Sequence, residues 1–273
     1  MRTYTLPAAV IAGALALGLT ACGSDTADST SGASGTLVVG ATPTPAGEVL
    51  AYIKDHLAKK AGLDLEIKEF TDYVLPNTAL QDGTLDANLY QHKPYLEDFN
   101  RSKGTTLSAV TDVYLPPMGV YSKKVDDVTK LARGATVALP NDTTNEGRAL
   151  QLLASKGVIE LKKDAGANAS PQDVAKNPKG LTFKELEPAQ LPRSLGDVDA
   201  AVINNNYALD ADLSPQKDAI LLESVKNNPY NNVLAVKKGD EDDPRVKKLA
   251  ELLTSPEVKK FIEEKYQGSV LPA

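Results

Sequence analysis

The sequence predicts an α/β protein of two lobes with a ligand cleft between them, and three observations carry that expectation. Short β-branched runs alternate with helical stretches of about 10–15 residues from Thr36 to Gly104, the signature of βαβ units and a mainly parallel sheet. The same rhythm returns in the middle third of the chain. Two extended, proline-containing stretches, VTDVYLPPMGVYS (110–122) and NNPYNNVLAV (227–236), fit no single sheet of that kind. The chain is therefore expected to build most of lobe 1, cross near residues 116–119, build lobe 2, and return near residues 229–232. That assigns residues 36–116 and 232–273 to lobe 1 and 117–231 to lobe 2. Small-ligand sites form preferentially in such clefts.

The elements follow in order. After Arg2 comes the apolar run LPAAVIAGALALGLTA, of signal-peptide length and short for a membrane span. Cys22, the single cysteine, follows it, and LTAC (19–22) resembles the lipobox of bacterial lipoproteins, whose cysteine is lipidated and becomes the first residue of the mature chain. Residues 1–21 are read as a signal peptide. A lone cysteine closes no internal disulfide, which fits lipid attachment better than stapling. Residues 22–35 hold almost no bulky apolar side chain, cannot repay the entropy of ordering, and read as a flexible tether. The folded part is thus expected on a lipid anchor at the outer face of the bacterial cytoplasmic membrane or at the cell surface.

Within the folded part TLVVGAT, LDLEIKEF and LDANLY read as strands, each followed by a helix: AGEVLAYIKDHLAKKAG, VLPNTALQDG and KPYLEDFNRSKG. ATVALPN leads into a helix at NDTTNEGR, with Thr143 the expected N-cap and Glu146 closing a capping box. LTFKELE, VDAAVINNNYAL and AILLESV are further strand candidates, and LPRSLGD is a short helix after the first of them. At the end, Val246, Leu249, Ala250 and Leu253 recur at i, i+3, i+4 and i+7. Pro256 then starts a second helix carrying Val258, Phe261 and Ile262 on its apolar face.

Composition excludes several functions. A net charge of −6 without any Lys/Arg cluster argues against nucleic acid. The only histidines, His56 and His92, lack a G-x-S-x-G partner motif for a hydrolytic triad and lack the clustering of a zinc site. No nucleotide-binding glycine motif is present. With 36 Asp and Glu, a pair of carboxylates for acid–base work carries no specificity. The chain reads as a binding protein, not an enzyme, with no cofactor and no metal.

Polar turns after the strands supply the candidate site, because ligands in open α/β sheets bind beyond strand carboxyl ends. They offer Tyr73, then Tyr90 and His92, then Arg148, then Asn204 in INNNY, and Asn232 in NPYNN. Arg148 lies near a helix N-terminus, where a cation is disfavoured by about 0.3–1 kcal/mol unless an anion sits beside it. A ligand carboxylate held bidentately suits that fork, and Gly147 suits a close approach to the backbone. Each residue also has an ordinary reading. Asparagines make turns, tyrosines half-bury, His92 starts a helix at the surface, and Arg148 pairs with Glu146 or another surface carboxylate. Taken together, one guanidinium, several neutral amides, aromatic rings and an imidazole suit a free amino acid with an apolar or thioether side chain.

At these residues VGATPTPAGEVL, FTDYVLPNTALQDGTLDANLYQHKPYL, PMGVYSKK, PNDTTNEGRALQLL, LPRSLGDVDAAVINNNYAL, NPYNNVLAVKKGDEDDPRVKKL and SPEVKKFIEEKYQGSVLPA closely resemble the NlpA/MetQ family of lipoproteins, the methionine-binding components of methionine ABC importers. The resemblance spans nearly all of the folded part. It implies two α/β lobes of the periplasmic-binding-protein type II class that close on methionine and deliver it to an ABC importer permease. A monomer is expected. The resemblance further implies that Arg148 holds the ligand carboxylate, that Asn204 and Asn232 bind its amino and carboxylate groups, and that Tyr73, Tyr90 and His92 line the side-chain pocket. Two departures are visible: Tyr90 where relatives often have Phe, and Ala46 where they usually have His. Residue chemistry alone reaches only a small amino acid. A receptor for another amino acid or dipeptide, and a surface adhesion lipoprotein, stay open at this point.

Overall fold

The computed structural model describes residues 35–273. The signal peptide, Cys22 and the tether up to residue 34 lie outside the described residues. The first half runs β1 (Leu37–Ala41), α1 (Glu48–Ile53), β2 (Leu65–Glu69), α2 (Leu75–Gln81), β3 (Ala87–His92), α3 (Lys93–Lys103), β4 (Leu107–Leu115) and β5 (Gly119–Tyr121). Next come β6 (Thr136–Pro140), α4 (Thr143–Ser155), a small ribbon of β7 (Glu160–Leu161) and β8 (Val174–Lys176), β9 (Thr182–Leu186), α5 (Leu191–Ser194), β10 (Ala200–Ile203) and α6 (Asn205–Asp210). The chain ends with α7 (Pro215–Asp218), β11 (Ala219–Leu222), β12 (Asn232–Lys237), α8 (Pro244–Leu253), α9 (Pro256–Tyr266) and β13 (Leu271–Pro272).

Two sheets organise these elements, one in the order β13-β4-β12-β3-β1-β2 and one in the order β11-β5-β10-β6-β9. In each, the strands joined by helices pair in parallel: β1 with β2 and β3, and β6 with β9 and β10. The remaining pairs are antiparallel, so neither sheet is mainly parallel as the strand–helix rhythm suggests. The cause lies in the extended stretches. They serve as strands themselves, and β12 inserts between β3 and β4 running against both. Sheet membership changes between Leu115 and Gly119, and again between Leu222 and Asn232.

Each sheet is packed on both faces. Leu37, Val39 and Ala41 of β1 meet Val49, Leu50 and Ile53 of α1, with Leu249 of α8 and Ile262 of α9 in the same core. Alternate side chains of a strand face opposite ways, and Val38 accordingly packs with Leu80, Leu96 and Phe99 on the other side. Ala46 is fully buried in the first of these cores. In the second sheet Val137 and Leu139 of β6 pack against Ala149, Leu150 and Leu153 of α4, and Ala201 and Ile203 of β10 pack against Leu191 and Tyr207.

The start of α4 departs from the expected cap. Asp142, not Thr143, is the N-cap, and its carboxylate accepts the Asn145 N–H at 3.0 Å. A carboxylate satisfies an orphan donor and complements the helix dipole together, which a threonine hydroxyl does only in part. Gly147 does permit a close approach, but the approaching group is the chain itself. A Cβ there would lie 2.2 Å from the Ala167 carbonyl oxygen.

Candidate functional site

One cavity brings together all six residues singled out in the sequence: Tyr73, Tyr90, His92, Arg148, Asn204 and Asn232. Its free volume is about 20 Å³, room for about one water molecule between these side chains. The ends of β3, β10 and β12, the first turns of α4 and α6, and, for Tyr73, the bend between β2 and α2 position these side chains. A buried amide cluster fastens α2 to β3 behind the cavity: Asn77 and Gln91 exchange hydrogen bonds at 2.8 and 2.6 Å, and Asn88 joins them.

One end is aromatic. The rings of Tyr73, Tyr90 and Tyr95 stand 5.8–6.2 Å apart, two of the three pairs edge-on. Their hydroxyls are engaged elsewhere. Tyr90 and Tyr95 both donate to the Tyr73 carbonyl oxygen, at 2.8 and 3.0 Å, and Tyr73 donates to Asn206 Oδ1 at 2.5 Å. Burial pushes the Tyr73 and Tyr90 phenols well above their ordinary value, so both are neutral. With their polar tips occupied, the rings offer mainly apolar surface.

His92 joins that end to the polar one. It ends β3 and caps α3, its Nδ1 accepting the Tyr95 N–H at 3.1 Å. The ring proton therefore sits on Nε2 and is donated to Asn145 Oδ1 at 3.2 Å. Burial, assisted by the charge of Arg148, lowers the imidazole pKa to about 3, so His92 is neutral. Asn145 Oδ1 also accepts Asn204 Nδ2 at 2.9 Å, while Asn145 Nδ2 donates to Asp142.

Arg148 is 3% exposed, so it is not a surface cation. Its missing anion is supplied by the protein: Nε donates to Glu223 Oε1 at 2.9 Å and Nη2 to Oε2 at 2.5 Å. Nη2 also donates to the Pro116 carbonyl at 3.0 Å, and the Tyr230 ring covers the guanidinium at 4.2 Å. The fork expected to receive a ligand carboxylate bidentately is thus occupied, and among the described residues only Nη1 makes no hydrogen bond. Burial drives the Glu223 carboxyl up, but the charge and hydrogen bonds of Arg148 outweigh it and hold Glu223 below its ordinary value.

The asparagines complete the polar end. Asn204 Oδ1, Asn205 Oδ1 and Asn206 Nδ2 are buried and make no hydrogen bond within the described chain. An unpaired buried polar group costs about 1–3 kcal/mol, so three in one cavity wall call for a partner. Asn232 opens β12, its Nδ2 donating to the Tyr90 carbonyl at 2.8 Å and lying 3.3 Å from the Tyr114 hydroxyl. Its neighbour Asn231 points away, half-buried and bonded to Asp112.

Comparison with known proteins fits this geometry. The family described as NlpA lipoprotein matches residues 37–273. The chain belongs to that family. The methionine-binding lipoprotein MetQ of Bacillus subtilis (strain 168) is 42% identical over 240 residues, 86% of this chain and 87% of that protein. A nutrient-binding protein from Burkholderia cenocepacia, solved bound to methionine, is 48% identical with a TM-score of 0.85, covering 87% of this chain and all of that one (100%). A periplasmic substrate-binding protein of an ABC transporter from Coxiella burnetii is 43% identical with a TM-score of 0.83, covering 87% of this chain and 100% of that chain. The fold is the two-lobed α/β class of such proteins, type II, with the cavity between lobes. Among the described residues no helix is long and apolar enough to cross a membrane, and no group of His, Cys, Asp and Glu could hold a metal ion.

The sequence reading of this lipoprotein passed over Asn145 and Tyr95, which line the cavity, and Glu223 and Tyr230, which hold Arg148 from outside it. Asn145 lies one helical turn before Arg148, and Tyr95 lies three residues after His92, spacings that place each pair on one helix face or turn. Those signals were readable. Glu223 is 75 residues from Arg148, and Tyr230 reaches it from the same returning segment, so no local pattern marks either.

Proposed function

We infer that this lipoprotein is the substrate-binding component of an ABC importer, capturing free methionine between its lobes and delivering it to a membrane permease. The observation that carries the reading is the split polarity of one buried cavity, with rings whose hydroxyls are occupied at one end and unpaired amide groups beside a guanidinium at the other. In this reading Arg148 Nη1 donates to the ligand carboxylate, and the free Oδ1 atoms of Asn204 and Asn205 accept from its ammonium. Asn232 borders the same polar groups. Tyr73, Tyr90 and His92 flank the side chain, where each sulfur–ring contact adds about 0.3–1.5 kcal/mol. The names and methionine-bound state of relatives at 42–48% identity support the same ligand.

No chemistry is assigned to the site. His92 has both ring nitrogens engaged and is held neutral, so it has no free nitrogen to act as a base. The lobes are taken as residues 36–116 with 232–273 and residues 117–231, hinged where sheet membership changes. Lipidation of Cys22 would hold the whole at the membrane face.

The test is thermal unfolding of ligand-stripped protein with a panel of amino acids and dipeptides. Methionine at about 100 times its Kd is expected to add roughly 2.7 kcal/mol of stability. No shift with either enantiomer or the sulfoxide would overturn the reading. A larger shift with another compound would replace the substrate.

A further inference from the structure

Arg148 ties the cavity to both chain crossings. Nη2 bonds the Pro116 carbonyl on the outgoing crossing, and Glu223 and Tyr230 belong to the returning segment. Glu223 is in turn fastened to the outgoing crossing, its Oε2 accepting the Met118 N–H at 3.1 Å and its own N–H donating to the Met118 carbonyl at 2.9 Å. The Glu223 side chain is 12% exposed and lies behind the guanidinium, outside the cavity lining. Two consequences follow for a ligand. The guanidinium is locked so that only Nη1 remains to donate, and its charge is cancelled by a carboxylate that the ligand does not touch.

A charge-balanced wall treats ligands of equal shape differently. An unpaired arginine in a buried site attracts any anion, whereas a paired one gives a lone anion both attraction and repulsion. A zwitterion is favoured because its carboxylate meets Nη1 while its ammonium meets amide oxygens that have no other partner. We propose that Glu223 is a positioning and charge-balancing residue that makes the cavity select a zwitterion over an anion or cation of the same shape. The inference rests on the methionine reading above.

Three nearly isosteric ligands test it: methionine, 2-hydroxy-4-(methylthio)butanoate, which replaces the ammonium by a hydroxyl, and methioninamide, which replaces the carboxylate by an amide. Calorimetric affinities are measured near pH 6.5, below the ordinary range of an α-amino group. The parent protein binds methionine most tightly. In Glu223→Gln the hydroxy acid gains about tenfold relative to methionine and methioninamide loses by a similar factor, the scale of one unit charge at protein dielectric. Equal shifts for all three ligands would reduce Glu223 to a structural prop and overturn the proposal. Arg148→Gln combined with Glu223→Gln removes both charges and is read independently of how the single variant folds. Its hydroxy-acid-to-methionine ratio stays within about threefold of the parent's, and a tenfold fall would mean that Arg148 acts uncompensated, again overturning the proposal. A parent that binds none of the three removes the methionine reading and this inference with it, whereas a methionine-binding parent with uniform shifts removes this inference alone.

Discussion

The two ends of the cavity are built from similar polar atoms used in opposite ways. At the ring end, each tyrosine hydroxyl could donate a hydrogen bond to a ligand as an asparagine amide could, yet every one is engaged: Tyr90 and Tyr95 on the Tyr73 carbonyl, Tyr73 on Asn206. At the amide end, Asn204 and Asn205 each use Nδ2 and leave Oδ1 unpaired. Residue type therefore does not announce what an end of the cavity will bind. The balance of satisfied and unsatisfied groups does, because a satisfied polar atom behaves toward a ligand almost as an apolar one, while an unsatisfied buried atom gains from any partner of the right sign.

Arg148→Ala tests that contrast most severely. It leaves Glu223 as a buried carboxylate without its partner, which costs about 3–5 kcal/mol, and both unfolding midpoint and ligand binding are expected to collapse. An unchanged midpoint would mean that the ion pair does not hold the polar end together. His92, the link between the ends, gives the next largest effect. Its folded pKa of about 3 lies below the ordinary 6.5, so the unfolded chain takes up a proton first as pH falls. Its contribution is complete above about pH 6.5 and is lost toward pH 3 at up to about 1.4 kcal/mol per pH unit. Burial and the neighbouring Glu185 raise Glu146 to about 7, a contribution of opposite sign, so the quantity to measure is the difference in urea stability between parent and His92→Gln at pH 6.5 and 4.5. Equal pH slopes in the two proteins would sink the assignment of a neutral, capping imidazole.

Asn204→Ala sharpens the amide end alone. Loss of an acceptor for an ammonium is expected to weaken methionine by about 10–100-fold, with unliganded stability moving by about 1 kcal/mol or less. Titration calorimetry showing a change under threefold would remove Asn204 from the ligand's contacts. Tyr90→Phe is the mildest. The Tyr73 carbonyl keeps its bond from Tyr95, so stability falls by about 1 kcal/mol at most and methionine affinity stays within about twofold. A large affinity loss would put the Tyr90 hydroxyl on the ligand and erase the contrast between the ends.

The parts of this molecule readable from sequence are those decided by near neighbours. Alternating β-branched runs and helical periodicity located β1 to β3, α1 to α4, and α8 and α9, because a strand's or helix's buried face is written at spacings of two to four residues. The six candidate residues were legible for the same reason: polar turns after strands mark where a sheet's carboxyl ends converge. Sheet direction was not legible, since whether an extended crossing becomes a strand depends on an edge formed by distant segments. Nor was the state of Arg148. Sequence alone determined that a cation near the start of α4 needs an anion. Only the tertiary structure decided that Glu223 is that anion, because an ion pair spanning 75 residues forms through packing of the two crossings and leaves no periodic trace along the chain.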